Sequence, residues 1–173
     1  MKEEKRAIAA RYVLSKKDRR AFASELRAEL GEEAARLVEE AAVVEVVKTR
    51  VKDAEVYLVD RKPLFIRLHR IIPSLVSVVK YRVVFPRLPV VVVDDGAVPH
   101  LVRGADVMVP GIVEVKGELC RGSLAYVSDL KSRIFVVGEA LMNKSEVLGK
   151  RRGRALKNLH YAGDKLWKLT LSL

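Results

Sequence analysis

Four consecutive valines, Val90–Val93, run into Asp94 and Asp95 and then into a segment, DDGAVPHLVRGADVMVPG, broken by Gly96, Gly104 and Gly111 and by Pro99 and Pro110. A run of β-branched residues is stiff at χ1 and fits an extended strand covered on both faces. The breakers require the chain to leave that strand abruptly. The strand ends at Asp94, Gly96 admits a sharp turn, and residues 97–104 form one or two helical turns, with Pro99 in the first turn, where its missing N–H costs nothing. Gly104 closes that helix and Pro110-Gly111 bends the strand that follows. Such a corner fits a small barrel. The backbone N–H groups of Gly96, Ala97 and Val98 are expected to point outward, where the field of a helix start favours an anion. The same glycines also suit a compact β-α-β corner that binds nothing, and their spacing alone does not separate the two.

The rest of the second half reads mostly as strands: GIVEVKG (111–117), SLAYVSD (123–129), RIFVVGEAL (133–141) and KLWKLTL (165–171). With VVVVD they make five short β-rich runs spaced by turns, the pattern of a small barrel or sandwich, and 97–104 is the only helix expected among them. The first half is α+β. RYVL (11–14) predicts a strand, and Ser15 with Asp18 a capping box ahead of a helix in which Phe22, Leu26 and Leu30 share a face and Gly31 is the stop. EEAARLVEEA predicts a second helix. VVEVVK, EVYLVD and LFIRLH predict three strands, with DRKP a hairpin turn, and a short helix follows Pro73 with Ser74 near its cap. FPRLP (85–89) resists both helix and central strand, so the expected domains are 1–86 and 87–173.

The chain of 173 residues has 33 Lys and Arg against 22 Asp and Glu, a net charge of +11 shared almost evenly by the halves, +6 and +5. An excess of positive charge spread in this way fits a polyanionic partner, because phosphates release counterions when basic side chains bind them. A basic but merely soluble surface is the other reading. No apolar run approaches the roughly 18–20 residues of a membrane span, and the N-terminus lacks the apolar core of a signal peptide, so a cytoplasmic protein with no membrane partner is expected. One cysteine, Cys120, permits no internal disulfide.

A basic cluster lies in NKSEVLGKRRGRALKNLHYAGDKLW, where between 144 and 157 Lys144, Lys150, Arg151, Arg152, Arg154 and Lys157 face only Glu146. Glycines flank KRR, so a mobile loop is expected whose arginines could fork onto phosphate; a plain solvated loop is the alternative. His160, Tyr161 and Trp167, just beyond, could stack on bases, although burial in a strand suits Trp167 better. No Walker lysine, HExxH, paired Cys-x-x-Cys or G-x-S-x-G pattern occurs, and His69, His100 and His160 are too scattered for a metal site. No catalytic residue, metal or cofactor is expected.

The segments VVVDDGAVPHLVRGADVMVPGIVEV, GELCRGSLAYV, IFVVGEALM and LHYAGDKLW resemble the PUA domain, named after pseudouridine synthase and archaeosine transglycosylase. With VEVVK, PLFIR, IPSL and NLHYAGDKLW, nearly the whole chain resembles the two-domain archaeal relatives of the malignant T-cell amplified sequence protein, themselves similar to part of ligatin. The resemblance implies an α+β pre-PUA domain followed by a PUA pseudo-barrel, and a non-enzymatic RNA-binding protein of translation. It implies structured RNA with a single-stranded end, rRNA or tRNA, as partner, and the small ribosomal subunit with a density-regulated-protein-like partner as setting. An RNA-targeting subunit for a modification enzyme supplied in trans is the alternative. Carried over by position, RNA contacts fall on Gly96, Ala97, His100, Arg103 and Gly104, beside the basic cluster of Lys144, Lys150, Arg151, Arg152 and Arg154. Two departures stand out: Gly122-Ser123 replaces the Gly-Asp frequent before the third strand, and Asp94 is acidic where a small or apolar residue is frequent.

Overall fold

The computed structural model describes residues 6–173, and the chain divides into two compact units. The first runs up to Arg87 and includes Lys168–Leu173; the second is Leu88–Trp167.

The first unit holds β1 (Ile8–Val13), α1 (Lys16–Leu30), α2 (Glu32–Glu40), β2 (Val44–Thr49), β3 (Glu55–Val59), β4 (Lys62–Arg67), β5 (Ile71–Pro73) and α3 (Leu75–Tyr81). Its strands form an antiparallel meander in chain order. Ser15 starts α1 as expected: its Oγ accepts the Asp18 N–H at 3.0 Å and donates to Asp18 Oδ2 at 2.7 Å. Gly31, at φ 101°, lets α2 follow without a linker, which a side chain at that φ would oppose. Phe22, Leu26 and Leu30 of α1 and Ala34, Ala35 and Val38 of α2 are buried. Phe22 stacks on Tyr57 at 4.0 Å between ring centroids and meets Phe65 edge-on at 5.8 Å. The hairpin turn expected at DRKP is the two-residue loop Asp60-Arg61, both at positive φ, the geometry that matches the strands' twist. Ser74 caps α3 by accepting the Ser77 N–H at 3.0 Å.

The second unit holds β6 (Val90–Val93), α4 (Val98–Leu101), β7 (Val107–Met108), a 3₁₀ turn (Val109–Gly111), β8 (Ile112–Lys116), β9 (Leu124–Ser128), β10 (Ile134–Ala140), α5 (Lys144–Gly149) and β11 (Arg154–Tyr161); α6 (Lys165–Ser172) begins here. Its sheet order is β7-β11-β10-β9-β6-β8, antiparallel except for the parallel β6–β9 pair. β7 and β8 are the two edges, yet only the 3₁₀ turn separates them in sequence, so the sheet must curl until its edges meet. Val91, Val93, Leu101, Val115, Val127, Val136 and Leu156 fill the half-barrel so formed. This is the α+β architecture with a PUA-type half-barrel that the resemblance implied.

Three local expectations fail. KLWKLTL is helix α6 rather than a strand: Asp164 Oδ1 accepts the Trp167 N–H at 2.7 Å as a cap, and Leu166, Leu169 and Thr170 are buried at helical spacing. The expected mobile loop is ordered on both sides, by α5 and by β11, leaving only residues 150–153 between them. β11 escaped notice because its register against β10 shifts at Val137/Gly138, so residues are buried in adjacent pairs, Ala155-Leu156 and Leu159-His160, rather than alternately. The corner helix covers only Val98–Leu101 of the expected 97–104.

Candidate nucleic-acid interface

The corner after β6 encloses an open cleft of about 530 Å³ whose lining includes Asp94, Gly96, Ala97, His100, Asp106, Met108, Pro110 and Gly111. The fold of the corner follows from Asp94. Its N–H donates to Gly111 O at 2.9 Å, and its Oδ1 accepts the Ala97 N–H at 2.9 Å. The expectation of free N–H groups therefore fails at Ala97, because the acid that departs from the family pattern satisfies that donor. A helix of four residues also supplies little macrodipole.

The small residues act through shape. Gly96 has no positive φ; a Cβ there would lie 3.4 Å from Asp94 Oδ1. A Cβ on Gly111 would come within 3.0 Å of the Ala97 Cβ, so the backbone at 111 passes directly over residue 97. Gly104, at φ 95°, closes the turn that follows α4, and a side chain there would also press on Tyr161 at 3.2 Å. His100 is exposed in the cleft wall; Arg103 is exposed in the turn beyond α4 and outside the lining.

Asp106 joins the cleft to the basic cluster. Its Oδ2 accepts from Arg154 Nη1 at 2.9 Å, and its Oδ1 accepts the Asn158 N–H at 2.9 Å. Asn158 Nδ2 in turn donates to Leu101 O at 3.0 Å and Ala105 O at 2.9 Å, holding carbonyls at the end of α4. Sequence reasoning missed Asn158, although a signal existed: the chain has only two asparagines, Asn143 and Asn158, and both hold helix ends.

The rest of the basic cluster is unequal. Lys144 is half-buried and its Nζ donates to Gly117 O at 3.3 Å. Glu146 takes both Arg121 at 2.9 Å and Lys150 at 3.4 Å. The Asn143 N–H, then the Arg121 fork, bring the Glu146 carboxyl down to about 2. Arg151 and Arg152 are exposed and have no protein partner among the described residues. Gly153 O accepts the Val109 N–H at 2.9 Å, tying this arginine turn to the 3₁₀ turn beside the cleft.

His160 is fully buried and bonds Asp164 at 2.8 Å, so it cannot stack on a base. Burial acts to raise the Asp164 carboxyl, but the His160 bond and the Trp167 and Tyr161 N–H groups outweigh it and hold it below its ordinary value. Trp167 is half-buried in α6. Ser123 supplies the turn bonds put in doubt by the missing aspartate: its Oγ donates to Cys120 O at 2.6 Å and accepts the Cys120 N–H at 3.3 Å. No cluster of three metal-ligating side chains occurs among the described residues.

The cleft and the arginine turn both lie within residues 89–162, which match the PUA domain; residues 10–81 match a domain of unknown function, DUF1947. An uncharacterized protein of Methanocaldococcus jannaschii is 38% identical over 162 residues, 92% of this chain and 96% of that one. The chain belongs to this two-domain PUA family. A hypothetical protein of Pyrococcus horikoshii, solved by crystallography, superposes with a TM-score of 0.79 at 37% identity, covering 93% of this chain and 99% of that one. Translation machinery-associated protein 20 of Saccharomyces cerevisiae is 27% identical over 143 residues, 78% of this chain and 77% of its own. The PUA portion alone is 38% identical, over 69 residues, to the probable tRNA pseudouridine synthase B of Pyrococcus furiosus, 40% of this chain and 20% of that enzyme. PUA is an RNA-binding domain. No helix among the described residues is long and apolar enough to cross a membrane.

Proposed function

We propose that this PUA protein is a non-enzymatic RNA-binding protein of translation that receives a single-stranded end of rRNA or tRNA in the cleft beside α4. Gly96 and Ala97 leave room for the RNA, His100 and Arg103 flank it, and Gly104 sets the wall. Arg151 and Arg152 take phosphates, while Arg154, Lys144 and Lys150 shape the basic rim. The observation that carries this reading is the junction at Asp106, where the arginine strand and the small-residue cleft become one surface within the PUA segment. The translation setting is supported by a relative that matches over three quarters of both chains and is named for the translation machinery. The small ribosomal subunit and a density-regulated-protein-like partner are the assemblies the family resemblance implies.

Crosslinking in cells of the source organism, followed by sequencing of the bound RNA, tests the proposal: rRNA or tRNA reads ending at their 3′ termini support it, and an absence of enriched RNA refutes it. The match to a pseudouridine synthase supports a second reading, a targeting subunit for an RNA-modification enzyme supplied in trans. Affinity purification separates the two, since the first requires ribosomal subunits and the second an enzyme.

A further inference from the structure

The first unit carries a charged surface of its own. Lys62 follows the two-residue turn at the start of β4, Tyr81 ends α3, and α3 packs on β4. Lys62 Nζ lies 5.6 Å and Lys80 Nζ 5.4 Å from the centroid of the Tyr81 ring. Two lysines thus share one partly exposed aromatic ring, and Arg61 and Arg82, next to Lys62 and Tyr81 in the chain, are exposed. Neither lysine has a carboxylate within ion-pair distance among the described residues. Asp60, beside Arg61 in the turn, uses its Oδ1 to accept the Val43 N–H at 3.0 Å. Glu45, which also feels Arg61, sits in the fork of Arg11 at 2.9 and 3.1 Å.

Two like charges sharing one ring repel each other, and an exposed cation–π contact is a weak restraint. An anion that draws the lysines outward relieves the repulsion and uncovers the ring face. A cationic rim around an available aromatic face suits single-stranded nucleic acid, with bases stacking on the ring and phosphates meeting the cations. A duplex keeps its base faces stacked inside, and an acidic peptide would use the cations but leave the ring idle. We propose that Tyr81, with Arg61, Lys62, Lys80 and Arg82, forms a second single-stranded RNA contact on the first unit. This assignment does not rest on the reading of the cleft.

A circular single-stranded oligouridine of about 20 nucleotides, longer than the roughly 4–16 that one such module covers, has no end for the cleft to hold, and an Arg151→Ala/Arg152→Ala background removes the phosphate contacts of the arginine turn, so together they isolate the surface. Its binding to the full chain is read by fluorescence anisotropy, with thermal unfolding confirming that each variant is folded. The parent and Tyr81→Phe are expected to bind alike, and Tyr81→Leu to bind about fivefold to a hundredfold more weakly through loss of one stacked base. Lys62→Ala/Lys80→Ala should lower the log–log salt slope by about 1.4, at roughly 0.7 per single-strand phosphate, and gives a second readout should Tyr81→Leu fail to fold. No binding of the circle by the parent, parental affinity in Tyr81→Leu, or an unchanged slope in the lysine variant overturns the proposal. So does displacement of the circle by polyglutamate as effective as that by unlabelled circle, which would assign the surface to an acidic peptide.

Discussion

The arginine turn and its neighbouring lysines make a controlled comparison, because four cations that look equivalent in sequence have different partners in the fold. Arg151 and Arg152 have no protein acceptor among the described residues, whereas Lys144 donates to Gly117 O and Lys150 pairs with Glu146. A cation whose charge a neighbouring carboxylate balances displaces fewer of the phosphate's counterions, and one bonded to a backbone carbonyl must leave that bond to reach a phosphate. Arg151→Ala/Arg152→Ala is therefore expected to lower the log–log salt slope by about 1.4, two single-strand phosphate contacts at roughly 0.7 each. Between 50 and 200 mM salt, that difference is about a sevenfold change in relative affinity. Lys144→Ala/Lys150→Ala should move the slope by less than about half as much. Anisotropy titrations of a linear RNA with a single-stranded 3′ end, at several salt concentrations, measure both. Equal slope changes for the two pairs would refute the argument from partners, and an unchanged slope for the arginine pair would remove the turn from the RNA surface.

Ala97→Glu should leave the Tm within a few degrees of the parent but weaken binding of the same linear RNA roughly tenfold or more, because the longer side chain fills the space that Ala97 leaves open in the cleft and its carboxylate adds about 1 kcal/mol or more of repulsion towards phosphates on the rim. Parental affinity in the folded variant would exclude the cleft. Glu146 is held at about 2 against an ordinary 4.5, so its ionisation favours the folded chain above pH 4.5 and that benefit is lost as the pH falls towards 2. Glu146→Gln should accordingly lower the Tm at pH 7 and match the parent near pH 2; a difference independent of pH would contradict this. Asp164→Ala removes the cap of α6 and the Asp164 bond of buried His160, a loss of about 3 kcal/mol, or roughly 6–12 °C in Tm by calorimetry, and a change below 2 °C would refute the pairing.

What could be read in advance were features whose cause is local. Ser15-x-x-Asp18, the Asp60-Arg61 turn and the helix after Ser74 each follow from side chains bonding their own backbone within three residues, or from φ preferences within a turn. β11 and α6 were misread because tertiary partners decide them: a register shift against β10 breaks the alternation of one, and the Asp164 cap overrides the strand-like composition of the other. The candidate site divides in the same way. Gly104 and Gly111 were legible because backbone geometry and close approach demand them, whereas the roles of Asp106 and Asn158 depend on bonds spanning about fifty residues of chain. The basic cluster was legible as composition, but its partners were not, and those partners separate Arg151 and Arg152 from the rest.

The acids of the cleft show why a count of charges misjudges such a site. Asp94 looked like a defect in a phosphate-binding turn, yet it organises the corner by accepting the Ala97 N–H. Asp106 has both oxygens engaged, one by Arg154 and one by the Asn158 N–H, so Arg154 is largely neutralised where it stands. The attraction that brings a polyanion to this surface must then come from cations without partners among the described residues, Arg151 and Arg152 across the 3₁₀ turn and exposed Arg103 beyond α4. Inside the cleft, Ala97, Met108, Pro110 and the glycine backbones offer shape and apolar contact beside two carboxylates. On the proposed reading, phosphates therefore belong on the rim. The part of an RNA end that suits the interior is a base or a ribose, whose amino and hydroxyl groups donate to carboxylate oxygens that a phosphate would avoid.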